Sequence, residues 1–158
     1  LGDTESQIPP SSSFLSRGGF NSSDYVPSHG WSGGFWLLWK NYISSMFNLV
    51  VIGKRRTYVC CLCTDFKLNW KFFYVFVYAP AHESLKRDFW EELTIFASSL
   101  DHPFVLMGDL NEIKDASEKL GGLPPSPSRF IRLNQFINNL DLLTLPFHGS
   151  SFSWHKKQ

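Results

Sequence analysis

The chain has 158 residues with 43% hydrophobic and 18% charged residues, enough apolar material for a real core and too much for a disordered chain. Its formal net charge is +1, so it lacks the overall positive field that many DNA-binding domains carry, and any nucleic-acid contact has to come from local clusters. The longest apolar run, Phe72 to Ala81, is far too short for a transmembrane helix, and the start has no charged, apolar and small-residue sequence of a secretory signal. The expectation is an intracellular protein, nuclear or cytoplasmic, neither secreted nor in a membrane.

Residues 1–30 are rich in Ser, Gly and Pro and read as a loop-rich start, with a short strand near Asp24-Tyr25-Val26. Four strand candidates follow: Phe35 to Trp39, Phe47 to Ile52, Thr57 to Cys63 and Trp70 to Ala79, with turns at Gly53–Arg56 and Thr64–Lys67. Fifteen Phe and six Trp suit packed sheet layers. Cys60, Cys61 and Cys63 fall in one apolar run with no second pair to complete a zinc site, and read as buried strand thiols.

After Pro80 the period changes. Leu85, Phe89, Leu93, Phe96 and Leu100 form one helical face, with Lys86, Arg87, Glu91 and Glu92 largely off it. A strand from Phe104 to Gly108 follows, then a polar loop from Asn111 to Pro127. A second helix is predicted from Ser128, as N-cap, to Leu140, with Phe130, Leu133, Phe136, Ile137 and Leu140 inward. Phe152-Ser153-Trp154 reads as a last short strand. The order of strands, helix, strand, helix, strand predicts a layered α/β sandwich, a single domain over 1–158 with its core in 31–158.

The strand Phe104 to Gly108 ends abruptly in Asp109-Leu110-Asn111. In α/β sheets, functional groups gather beyond strand carboxyl ends. If the segment stays extended, residues two apart share a side, and Asp109 and Asn111 face one cleft. Asp is a hard oxygen ligand or a base for water; Asn both donates and accepts. The same spacing also fits a turn in which both side chains bond nearby backbone.

The surrounding motifs add a resemblance. Ser32-Gly33-Gly34-Phe35-Trp36-Leu37-Leu38-Trp39-Lys40, Tyr78-Ala79-Pro80, Gly108-Asp109-Leu110-Asn111, Glu118-Lys119-Leu120-Gly121-Gly122 and Phe152-Ser153-Trp154 occur in this order. Together they resemble the endonuclease/exonuclease/phosphatase family, the DNase I-like fold, and more narrowly the endonuclease domain of plant LINE-type (non-LTR) retrotransposons. Leu110 stands where that family usually has Phe, and Ser153 where it has Thr. Leu1-Gly2-Asp3-Thr4-Glu5 resembles the family's Leu-x-Glu-Thr-Lys strand end, with Asp3 one methylene shorter than the metal-binding Glu.

The resemblance implies a DNase I-like sandwich of two packed mixed sheets flanked by helices, truncated at both ends. It also implies a Mg²⁺- or Mn²⁺-dependent phosphodiesterase acting on the DNA backbone. By position Asp3 would hold the metal and Tyr78 would contact the scissile phosphate. Asp109 would orient or deprotonate the attacking water, helped by Asn111. The nick would leave a 3′-hydroxyl for a reverse transcriptase in a longer parent polypeptide. The family's early Asn, later Asp and closing Asp-His pair have no match between Leu1 and Gln158. The competing readings are a catalytically inactive remnant with at most weak metal or nucleic-acid binding, and a relative in the same fold that cleaves other phosphoesters. Arg87 and Trp90 read as helix surface and packing residues. Glu118-Lys119 and Gly121-Gly122 read as loop-shaping, and the five histidines as structural or solvated.

Overall fold

A computed structural model describes residues 9–28, 34–146, 148, 149 and 152. The chain divides into two compact units: residues 1–79 with 100–109, and residues 80–99 with 110–158.

The first unit carries every described strand. β1 (Ser22–Val26) and β2 (Phe35–Trp39) form an antiparallel pair, and β3 (Phe47–Lys54), β4 (Tyr58–Asp65), β5 (Trp70–Tyr78) and β6 (Phe104–Asp109) form a second sheet in that order. The β3–β4 and β4–β5 pairs are antiparallel and β5–β6 is parallel. The architecture is thus mixed α/β with two sheets and helices. One refinement applies: only the four-stranded sheet is mixed, while the two-stranded one is purely antiparallel.

The sheets share an apolar layer. Val26, Phe35 and Leu37 from the small sheet pack with Leu49, Val51, Val59, Cys61, Tyr74 and Phe76 from the large one. β4 is a central strand, and its consecutive residues Tyr58 to Cys61 are all buried, as expected where both faces of a strand are covered. All three cysteines are free thiols and buried. Burial pushes the Cys60 thiol up to about 11 and, with smaller contributions from Cys60 and Asp24, the Cys61 thiol up to about 12. They are inert apolar filling rather than reactive groups.

Turn chemistry fixes the hairpins. β3 runs two residues past its expected end, with a register shift between Val51 and Gly53, and the Arg55 amide donates to the Tyr58 carbonyl at 2.8 Å to close the turn. At the β4–β5 turn, Asp65 Oδ1 accepts from the amides of Lys67 and Leu68, both at 2.8 Å.

Two helices appear where none was predicted. The serine-rich start, read as loop, contains α1 (Ser12–Gly18), because Ser11 caps it by accepting from the Phe14 amide and Gly19 ends it in the left-handed region at φ 67°. A short helix, α2 (Asn41–Met46), leads into β3.

The second unit is built on α3 (Glu83–Ser98) and α4 (Pro127–Asn139). α4 starts one residue earlier than expected, with Pro127 in its first turn and Ser126 rather than Ser128 at the N-cap. Its Leu133 and Phe136 are buried, and Phe136 meets Trp90 of α3 with ring centroids 5.1 Å apart. On α3 the buried stripe is Lys86, Phe89, Trp90, Leu93 and Ala97, while Leu85 is 56% exposed. The expected face was therefore rotated, because counting apolar residues alone discards Lys86, and the tertiary structure buries it. Among the described residues no helix is long and apolar enough to cross a membrane. Of the expected last strand, Phe152 is described and lies in no strand, and 153–154 lie outside the described residues.

Candidate functional site

The parallel pairing of β5 and β6 decides what stands at their ends. Its register sets Phe73 against Phe104 and continues residue by residue to Val77 against Gly108 and Tyr78 against Asp109. The Ala79 amide donates to the Asp109 carbonyl at 2.8 Å, and the Tyr78 amide to the Thr57 carbonyl at 2.8 Å, so both strand ends are tied down. Pro80, with no amide hydrogen, follows at once.

Gly108 makes this pairing possible. Its φ is 138°, and a Cβ there would lie 1.9 Å from the Val77 carbonyl oxygen. No side chain fits in that space. Tyr78 and Asp109 are thereby brought to neighbouring carboxyl ends of parallel strands. Tyr78 is half-buried and Asp109 is exposed.

Asn111 departs from the extended geometry on which the two-residue spacing relied. β6 ends at Asp109, and Asn111 has φ 46°, a left-handed conformation that Asn tolerates better than most residues. Asn111 opens the loop of the second unit. Alternation along a strand therefore does not set where its side chain points. Asp3, the expected metal ligand, lies outside the described residues.

The residue after Asn111 was missed from sequence. The Glu112 side chain is fully shielded from solvent and surrounded by three cations. Lys86 Nζ lies 3.3 Å from Oε1, Arg129 Nε donates to Oε2 at 3.2 Å, and Arg132 donates to Oε1 through Nε at 3.1 Å and Nη2 at 2.7 Å. Arg132 Nη1 also pairs with Glu83 at 2.7 Å. Burial pulls the Arg132 pKa down, but its hydrogen bonds to Glu112 and Glu83 outweigh this and raise it. The backbone joins in: the Asn111 carbonyl accepts from Lys86 Nζ at 2.6 Å and from Arg129 Nη2 at 3.4 Å. A weak signal was present, in Arg129 and Arg132 three apart on α4 and Lys86 three or four residues before the apolar Phe89 and Trp90.

Downstream, the loop residues shape the loop as expected. Glu118 accepts from the Lys114 amide at 2.7 Å, Lys119 Nζ donates to the Leu123 carbonyl, and Gly121 and Gly122 take φ of 79° and 69°. Asp115 caps the short 3₁₀ turn Ala116–Glu118, and the hydrogen bonds from the Ser117 hydroxyl and amide hold its carboxyl below the usual range. Arg87 is exposed beside Asp88, and Trp90 is buried packing, with its Nε1 lacking a hydrogen-bond partner. His102 is held by Asp101 at 2.7 Å and by the ring of Phe73, which is a structural role. His29 and His155 lie outside the described residues. Among the described residues no group of three or more His, Cys, Asp or Glu side chains could hold a metal ion.

Among solved structures the chain is similar to one of a human enzyme domain. It is the human Nocturnin catalytic domain with bound sulfate anion, 17% identical, covering 63% of this chain and 46% of that chain, with a TM-score of 0.43. This chain spans less than half of that domain. No family model and no curated protein matches the chain.

Proposed function

We propose that this chain is an endonuclease-like domain of the endonuclease/exonuclease/phosphatase type, of LINE retrotransposon origin, which hydrolyses DNA phosphodiesters with Mg²⁺ or Mn²⁺. The observation that carries the reading is the register of the parallel strands, which sets Tyr78 beside Asp109 at their carboxyl ends. The two residues come from motifs about thirty positions apart, Tyr78-Ala79-Pro80 and Gly108-Asp109-Leu110-Asn111, and the resemblance assigns Tyr78 to the phosphate and Asp109 to its attacking water.

The chemistry suits the residue types. A phenol at a strand end donates a hydrogen bond to a phosphoryl oxygen. An exposed carboxylate beside it accepts a proton from water, or orients that water for in-line attack. Magnesium asks for only one or two carboxylates, with waters and substrate phosphate completing its shell, so the absence of a three-residue cluster among the described residues is no obstacle. Asp3 is the residue that the resemblance assigns to the ion, and Asp109 the residue that it assigns to the water. When bound, the ion neutralises charge that develops on the phosphate oxygens.

The test is nicking of supercoiled plasmid by the chain, with and without Mg²⁺, beside Asp109→Ala and Tyr78→Phe. The expected result is Mg²⁺-dependent nicking that Asp109→Ala abolishes and Tyr78→Phe lowers. Nicking no faster than the Asp109→Ala background would return the chain to the reading as an inactive remnant.

A further inference from the structure

We infer that Lys86 and Glu112 are positioning residues that fix the conformation of Asn111. Their catalytic consequence rests on the nuclease reading above; their effect on Asn111 does not.

Lys86 and Arg129 each make two contacts, one to the Asn111 carbonyl and one to the Glu112 carboxylate. The stretch from the Asn111 carbonyl to the Glu112 side chain is therefore gripped at both ends by the same two cations. Arg132 closes the remaining side of the carboxylate. The Lys86 side chain is 4% exposed and that of Glu112 is fully shielded, so water does not compete for the bond between them.

A non-glycine residue at φ 46° persists when its surroundings over-determine it, and two cationic donors on its own carbonyl do that. Asn111 is also the residue to which the resemblance gives a role beside Asp109. The knot thus uses a buried ion cluster of the second unit to hold the backbone of Asn111 in one conformation.

The experiment compares the full chain with Lys86→Met, which keeps the apolar stem and removes the donors, and with Lys86→Arg, which retains a cation. NMR reads the ¹³Cα and ¹³Cβ shifts of Asn111, and plasmid nicking reads kcat and KM separately. The expected result for Lys86→Met is that the Asn111 shifts leave the left-handed pattern while those of α3 and α4 stay. At the same time kcat falls about 100-fold with KM little changed, the size that a misplaced catalytic group gives. Lys86→Arg recovers part of both. Asn111 shifts unchanged in a folded Lys86→Met chain would overturn the inference, as would shifts that move while kcat holds. Should Lys86→Met fail to fold, Arg129→Gln removes the second bridge from a partly exposed position and carries the same readouts. A wild-type chain with no Mg²⁺-dependent nicking would sink the nuclease reading and the catalytic half of this inference together. The shift comparison then decides the conformational half alone.

Discussion

The two units hold themselves together by opposite means. In the sheet unit the most buried side chains include Cys60, Cys61 and Val75, all without charge, and neighbouring rings meet along β5 from Trp70 to Phe76, edge-on between Phe72 and Tyr74 and stacked between Tyr74 and Phe76. In the helical unit an apolar contact between α3 and α4 is joined by a carboxylate and three cations, with Glu112 and Lys86 at its centre. Apolar burial is non-directional and tolerates repacking. A buried charge demands partners in fixed places, and loses heavily when one is removed. The sheet unit therefore supplies a platform for Tyr78 and Asp109, while the helical unit supplies directional restraint to the Asn111–Glu112 loop.

That contrast is open to attack from both sides. The largest effect belongs to Glu112→Ala, which leaves Lys86 buried without its anion. Urea unfolding is expected to lose roughly 3–5 kcal/mol, and a loss under 1 kcal/mol would show that the knot is not structural. Combining it with Lys86→Met should cost less than the sum of the two single changes, because the second substitution removes the stranded cation.

Next comes Gly108→Ala in the sheet unit. The added Cβ meets the Val77 carbonyl at 1.9 Å, so the β5–β6 pairing has to open. The expected loss is about 3 kcal/mol, with faster amide exchange at Ala79, whose bond to Asp109 depends on that pairing. Unchanged exchange at Ala79 would mean that the glycine does not hold the strand ends together.

The thiols give a pH test specific to the sheet. Their pKa values rise from an ordinary 9.0 to about 11 and about 12 in the folded chain, so folding retains protons that the unfolded chain gives up. The contribution is complete below pH 9 and is lost as pH climbs toward the folded values. Between pH 9 and 11 each thiol should remove about 1.4 kcal/mol per pH unit. Cys61→Ala should flatten the stability curve over that window relative to wild type, and parallel curves would count against a buried, protonated Cys61.

The smallest effect is expected at the rim. Lys54 and Asp24 pair across the first unit with the lysine side chain 44% exposed, so Lys54→Ala should cost less than about 1 kcal/mol. A larger loss would place charge, rather than apolar packing, among the forces that hold the sheet unit.

Much of this was legible in the chain itself. β2, β4, β5 and β6 lie within two residues of where apolar runs and turn residues put them, because a strand's identity depends on local pattern and on breakers such as Pro80. The exceptions have physical reasons. α1 was hidden because serines that mark loops are also the residues that cap helices, and the choice between the two needs the Ser11 to Phe14 bond. The buried face of α3 was rotated because a lysine counts as polar until its partner is known. In the candidate site, Asp109 and Tyr78 were readable as strand ends, and Gly108 was readable as part of a motif. The 1.9 Å approach that makes Gly108 obligatory belongs to the pairing.

The sequence by itself determined most of the strands and the two long helices, that the cysteines fill a core, and which motifs deserve chemical attention. These follow from period, composition and breakers, all of which act over a few residues. Tertiary structure alone decided that Tyr78 registers against Asp109 and that Glu112 is enclosed by Lys86, Arg129 and Arg132. The reason is that strand register and charge pairing join residues 17 to 31 positions apart, and only the folded chain brings such residues within bonding distance.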